Sequence, residues 1–348
     1  MKFGVGFSSK TGAALATGGI LGGGGAVIYN KTTPKNIQEA LEWKGFLFIE
    51  TIEDESQKQN SYRAVYLDNT GDISSINSGI TGETDWQKIK TWCQTELKKP
   101  YVSEDFENKE KIIKYCEDKT PRTVEAHLKK IKPQASWIKN KETNSQDEPY
   151  KTIFAVYRYS DDFLSAINSV KGETDTEYKT TTEASTGYTR LKTWCTFNLS
   201  NSVKEIKDLQ QLYNHLTWWC QELNYSTVEN KIKNDLLGWE GEDLTIDDTE
   251  ADKDGSNWGK IKGYWQQTPL VFKTIKPDQN VGTSLKGSDY KKWCKENLSK
   301  NLSETGIYQE KHLVAKVVCV KEKVQKHLFQ VSLVEAIEKS KTESAPVA

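Results

Sequence analysis

Apolar residues recur along this chain at helical spacing, and the pattern comes round three times. Trp86, Ile89, Cys93 and Leu97 follow one face of a helix at i, i+3, i+7 and i+11; Tyr188, Leu191, Cys195 and Leu199 do the same; Tyr290, Cys294 and Leu298 keep the register. Each of these segments ends in a related phrase, Lys90-Thr91-Trp92-Cys93, Lys192-Thr193-Trp194-Cys195 and Lys291-Lys292-Trp293-Cys294. A second cysteine follows each at a nearly constant interval: Cys116, Cys220 and Cys319. The stretches before them also read as helices, with Ile112 and Ile113 before Cys116 and Leu209, Leu212, Tyr213 and Leu216 before Cys220. Val314, Val317 and Val318 before Cys319 suit a helix or a strand, because β-branched side chains favour strands.

A further phrase marks where each repeat begins. Thr33-Pro34-Lys35-Asn36-Ile37 leads to Leu41, Thr120-Pro121-Arg122-Thr123-Val124 leads to Leu128, and Ser226-Thr227-Val228 leads to Ile232; a shortened copy, Val324 to Leu328, follows Cys319. The spacing predicts a helix at each, with Thr33 and Thr120 as N-caps and Pro34 and Pro121 at the first helical position. Ser226 and Glu229 have capping-box spacing. The repeat is roughly 100 residues, the size of a small domain. The expected organisation is a segment 1–30, units 33–119, 120–223 and 224–322, and a C-terminal helix with a polar tail at 323–348. The middle of each unit shows no regular period. Units one and two share Ile76-Asn77-Ser78 with Ile167-Asn168-Ser169 and Gly82-Glu83-Thr84-Asp85 with Gly172-Glu173-Thr174-Asp175. Unit two then carries a Thr-rich insertion, and unit three an acidic loop from Asp247 to Asp254. The expected fold is mainly α: tandem small helical units with irregular middles, behind an N-terminal transmembrane helix.

That N-terminal helix is read from residues 11–29, an uncharged glycine-rich run flanked by Lys10 and Lys31. It has about the ~20 residues a helix needs to cross a bilayer. Gly22 to Gly25 give it the small surface that membrane helices tolerate. An uncleaved signal anchor is the expected reading, a cleaved signal peptide the other. Composition narrows the rest. Hydrophobic content is only 36%, but 11 tryptophans and 15 tyrosines recur at matched positions, which favours small packed cores over disorder. Formal net charge is -1 with the two signs interspersed, so there is no basic patch for nucleic acid.

The cysteines admit three readings. Disulfides Cys93–Cys116, Cys195–Cys220 and Cys294–Cys319 fit an even count, a regular spacing and an exported body. Buried free thiols beside tryptophan would fill the same core positions if the body were intracellular. Zinc lacks a Cys-x-x-Cys, and the histidines are only His127, His215, His312 and His327. The Trp-Cys helix, the second aromatic-Cys pair (Tyr115-Cys116, Trp219-Cys220) and the Thr-Val-x-x-x-Leu helix at Thr123 to Leu128 resemble the large paralogous families of uncharacterised proteins in haemotropic mycoplasmas. Those chains carry a short Gly/Ala-rich membrane segment and then such a cysteine-containing region; here the unit occurs about three times. The resemblance implies a surface-exposed, host-facing protein, and supplies no catalytic residues and no ligand.

No local constellation carries chemistry. Asp247, Asp248, Glu250, Asp252 and Asp254 lack the following bidentate Glu of an EF-hand and read as a solvated loop. His127 and His327 occupy matched helix positions. Glu83 with Asp85, and Glu173 with Asp175, could form the paired carboxylates of a hydrolase, but capping of the next helix by Thr84 and Asp85 explains the first copy. The sequence therefore points to a non-enzymatic membrane-anchored surface protein without cofactor or metal, its body outside the cell, meeting an unknown host or surface protein. An intracellular membrane-associated structural protein with reduced cysteines and an exported hydrolase are the alternatives.

Overall fold

The structure, a computed structural model, describes residues 34–172, 175–235, 250–253, 255–279 and 285–321. The N-terminal run, Glu173, most of the acidic loop, His327 and the C-terminal segment 323–348 lie outside them. The described residues are mainly α, with fourteen α-helices and no strand. The first third holds α1 (Ile37–Glu42), α2 (Glu55–Asp68), α3 (Trp86–Leu97) and α4 (Lys109–Cys116). The second holds α5 (Val124–Ile131), α6 (Asp147–Tyr157), α7 (Asp161–Asn168), α8 (Ala184–Ser200) and α9 (Leu209–Trp219). The last holds α10 (Val228–Asp235), α11 (Asn257–Trp265), α12 (Pro269–Ile275) and α13 (Gly287–Leu298), then a π-helical segment, Ile307–His312, running into α14 (Leu313–Val318). The valines before Cys319 are thus helical.

The opening helices start later than the prolines suggest. The caps are Asn36, whose side chain accepts from Glu39 N at 2.8 Å, Thr123, which accepts from Ala126 N at 3.3 Å, and Thr227, which accepts from Asn230 N at 3.3 Å. Pro34, Thr120, Pro121 and Ser226 precede these caps outside any helix, and Thr33 lies outside the described residues. The reason is a clasp that helical periodicity cannot reveal. Ile37 N donates to Lys99 O (3.0 Å) while Tyr101 N donates to Lys35 O (3.3 Å). Val124 N and Val203 N do the same with Asn201 O (3.0 Å) and Arg122 O (2.9 Å), and Val228 N and Leu302 N with Lys300 O (3.0 Å) and Ser226 O (2.8 Å). These reciprocal pairs bind the start of each unit to the chain just past its Trp-Cys helix, and they need an extended backbone where the sequence pattern placed a first helical turn.

The unit middles are not irregular: α2, α6 with α7, and α11 with α12 fill them. Helix α2 escapes a search for apolar period because its inward face is largely polar. Tyr62 and Ala64 are buried there together with Lys58, Asn60 and Ser61. Its start is set by Asp54, whose carboxylate accepts from Ser56 N (2.8 Å) and Gln57 N (3.0 Å).

Buried apolar side chains gather into three clusters, drawn from residues 37–116, 124–220 and 225–320. Each contains one cysteine pair, Cys93–Cys116, Cys195–Cys220 or Cys294–Cys319, with sulfurs at bonding distance and Cα atoms 5.6, 5.7 and 5.5 Å apart. Closing a loop of about 25 residues contributes on the order of 3 kcal/mol, a large share of the stability of a domain this size.

The clusters are joined by polar contacts, and the second and third also by Leu223 and Tyr308, which pack against both. Helix α2 packs on α5. At its C-terminal end Asp68 accepts from Thr123 N (2.9 Å), Thr123 Oγ1 (2.7 Å) and Arg122 N (2.5 Å). Between the second and third clusters, buried Arg158 donates to Thr182 O (2.6 Å) and to Gln309 Oε1 (2.8 Å), and the rings of Tyr159 and Tyr308 stack with centroids 6.2 Å apart.

Candidate functional site

Of the paired carboxylates singled out in the sequence, Glu83, Asp85 and Asp175 lie among the described residues, and each is held by neighbouring groups. Asp85 sits where the chain enters α3, accepting from Thr81 N (2.9 Å) and Gly82 N (3.1 Å) and pairing with Lys88 at 2.7 Å. The Lys88 ammonium, with the Thr81 amide, holds this carboxyl far below the ordinary range. Asp175 accepts from Gly172 N at 3.0 Å and lies 3.7 Å from Arg190. The third unit, which lacks the Gly-Glu-Thr-Asp phrase, nonetheless places Asp289 in the same role, accepting from Lys286 N at 2.9 Å at the start of α13. Only the aspartate is needed for this job, so a motif search on the whole phrase misses it.

Glu83 has a different task. It pairs with Arg63 in its own unit at 2.9 Å and with buried Lys129 of α5 at 3.3 Å, tying the first unit to the second. Beside this pair lies a cleft of about 660 Å³, walled by the end of α2, the turn at Gly82–Thr84, the start of α5, the segment at Lys139 and Asn140, and the end of α8. Glu125 lines it from the second unit. This carboxylate is paired with Lys139 at 2.6 Å and accepts from Asn140 Nδ2 at 3.1 Å. In sequence Glu125 is only part of the boundary phrase, and its partners lie more than a helix away, so nothing local marked it. His127, on the same helix, has its pKa lowered by burial, with Lys130 adding to the effect.

A second polar cluster lies in the third unit. The Asp235 carboxylate meets Lys231, Lys316 at 3.0 Å and His312 Nε2 at 3.7 Å. His312 is 3% exposed, its ring stacks on Tyr308 with centroids 5.3 Å apart, and neither ring nitrogen has a hydrogen bond. Its proximity to Asp235 suggests an imidazolium, but burial outweighs that attraction, Lys231 and Lys316 oppose it, and the pKa is pushed down to about 4. The ring is therefore neutral at pH 7. A folded-state value below the ordinary 6.5 means that the unfolded chain binds the extra proton first. Stability from this residue is complete above pH 6.5 and is lost as the pH falls from there towards 4, by about 3 kcal/mol. Urea titrations at pH 7 and pH 4.5 should show most of that loss, and His312→Leu should flatten it while costing little at pH 7, because no hydrogen bond is broken. An equal pH slope in the variant would refute this account.

Among the described residues no group of three or more His, Cys, Asp or Glu side chains could hold a metal ion. No helix among them is long and apolar enough to cross a membrane. Compared with family models, curated proteins and solved structures, the chain matches none.

Proposed function

We propose that this chain is a membrane-anchored surface protein whose body faces outward and serves as a host-facing antigen or binding module. The observation that carries the reading is one buried disulfide in each of the three clusters. Such bonds persist in oxidising compartments and are rare inside reducing cells. Residues 11–29, outside the described residues, supply the anchor. A non-enzymatic role is favoured by the state of the paired carboxylates, since Asp85 and Asp175 hold backbone amides and Glu83 holds two cations.

Differential thiol labelling on intact cells tests this. A membrane-impermeant alkylating reagent is applied with and without reductant, and peptides are assigned by mass spectrometry. The expected result is labelling only after reduction and denaturation of the exposed chain, with non-reduced peptides linked Cys93 to Cys116, Cys195 to Cys220 and Cys294 to Cys319. Free thiols that react only after lysis would place the body inside the cell and defeat the proposal.

A further inference from the structure

We propose that the cleft between the first two units binds a neutral oligosaccharide. Three observations lead there. First, the walls are tied to one another by the Asp68 contacts to Arg122 and Thr123 and by the Glu83–Lys129 pair. A preorganised site loses less free energy on ordering than a flexible one. Second, the charges are spent on each other. Glu83 faces Arg63 and Lys129, and Glu125 faces Lys139. A phosphate or sulfate would face the two carboxylates with only Lys139 beside them, and a cationic peptide would find both carboxylates already neutralised by Arg63, Lys129 and Lys139. Third, the hydrogen-bonding surface is mixed. An ionised carboxylate has about four acceptor sites, so Glu125 keeps capacity beyond Lys139 and Asn140, and Glu83 keeps it at Oε1 alone, its Oε2 being buried; the Asn140 carbonyl accepts while Thr70 and Thr84 at the rim can both donate and accept. Apolar wall comes from Leu67 and the Tyr66 ring, with Leu199 fully buried behind them, too little to retain an apolar ligand. A chain of sugar hydroxyls offers donors to the fixed carboxylates and acceptors to the amide and hydroxyls. At about 660 Å³ the cleft lies within the ordinary range of small-molecule sites and has room for several sugar rings.

The inference rests on the binding-module reading for its biological setting, but its test does not depend on which side of a membrane the body lies. Full-length oxidised protein in a detergent without a sugar headgroup is titrated calorimetrically with maltotetraose, cellotetraose, N-acetylated chitotetraose and lacto-N-tetraose. At least one should bind with a Kd below 1 mM. Thr84→Trp, which fills the cleft from an exposed rim position, and Asn140→Ala should each weaken that binding at least tenfold. If Thr84→Trp shifts the melting curve, Thr70→Arg, also at an exposed position, replaces it. The proposal is overturned if none of the four saccharides binds, if binding is unchanged in the cleft variants, or if tetralysine or inositol hexaphosphate binds in a way that those variants abolish while the sugars do not. Binding with a body that thiol labelling places inside the cell would leave the site standing and remove only the host-facing reading.

Discussion

Trp219→Ala should destabilise the second unit by about 3–5 kcal/mol, the cost of truncating a large buried aromatic side chain. Trp219 is 2% exposed and is the meeting point of that core. Its ring lies 5.1 Å from Phe163, 5.4 Å from Trp194 and 6.4 Å from Tyr157 by centroid, and His215 stacks on it at 4.1 Å. These rings come from α6, α7, α8 and α9, so removing the indole opens a void that no single helix can close by shifting. The indole nitrogen has no hydrogen bond, so the loss is one of packing, and Trp219→Phe should recover much of it. The neighbouring residue provides the control. Trp218 is 51% exposed, and its replacement by alanine should leave the stability within about 0.5 kcal/mol. Thermal melts followed by near-ultraviolet circular dichroism decide the matter; equal midpoints for the two alanine variants would show that the second core is not organised around Trp219.

Gly287→Ala should cost about 2–3 kcal/mol in the third unit through overpacking. A Cβ at this first residue of α13 would stand 2.0 Å from Ala251 O and 3.1 Å from Trp258 Cβ. The obstacle is backbone, and it is tethered: Ser288 N donates to Asp252 Oδ1 at 2.8 Å and Ser256 Oγ to Ala251 O at 3.3 Å. Relief therefore means displacing the 250–253 segment from the helix it caps. Gly263, in the exposed face of α11, is the opposite case. Among the described residues nothing lies within 4 Å of where a Cβ would stand, so Gly263→Ala should stabilise by about 0.5–1 kcal/mol. Urea denaturation of both variants checks the pair, and the same sign of change in each would contradict the packing described for Gly287.

These contrasts also mark what could be read from the sequence. The cysteine-bearing helices were legible because their buried faces are apolar at helical spacing, and cysteine and tryptophan stand out in the recurrence. Helix α2 was not, because Lys58, Asn60 and Ser61 occupy the face that a hydrophobic period would have betrayed. The helix starts were misplaced because the residues between Pro121 and Val124 answer to partners near Asn201, and a pairing two residues long leaves no local periodicity. The same holds for the candidate site. Glu83 was noticed for a carboxylate neighbour, Asp85, with which it shares no function, while its working partner Lys129 and the opposing Glu125 come from the next unit. Asp289 escapes notice because the phrase around it has changed although its hydrogen bond from the backbone three residues before it has not.

The disulfides have one more consequence, for the order in which the chain acquires them. Six cysteines can pair in many ways. In this protein each joins the next one along the chain, Cys93 with Cys116, Cys195 with Cys220 and Cys294 with Cys319. When a chain is delivered N-terminus first, every odd-numbered thiol meets its native partner before any later cysteine has emerged. Vectorial oxidation thus yields the native connectivity directly, and the helices of one unit are locked before the next unit can compete for their sulfurs. Tandem duplication of a sequence usually multiplies the chances of cross-pairing between copies; keeping both cysteines inside one short stretch of each copy removes that hazard without a catalyst of disulfide exchange.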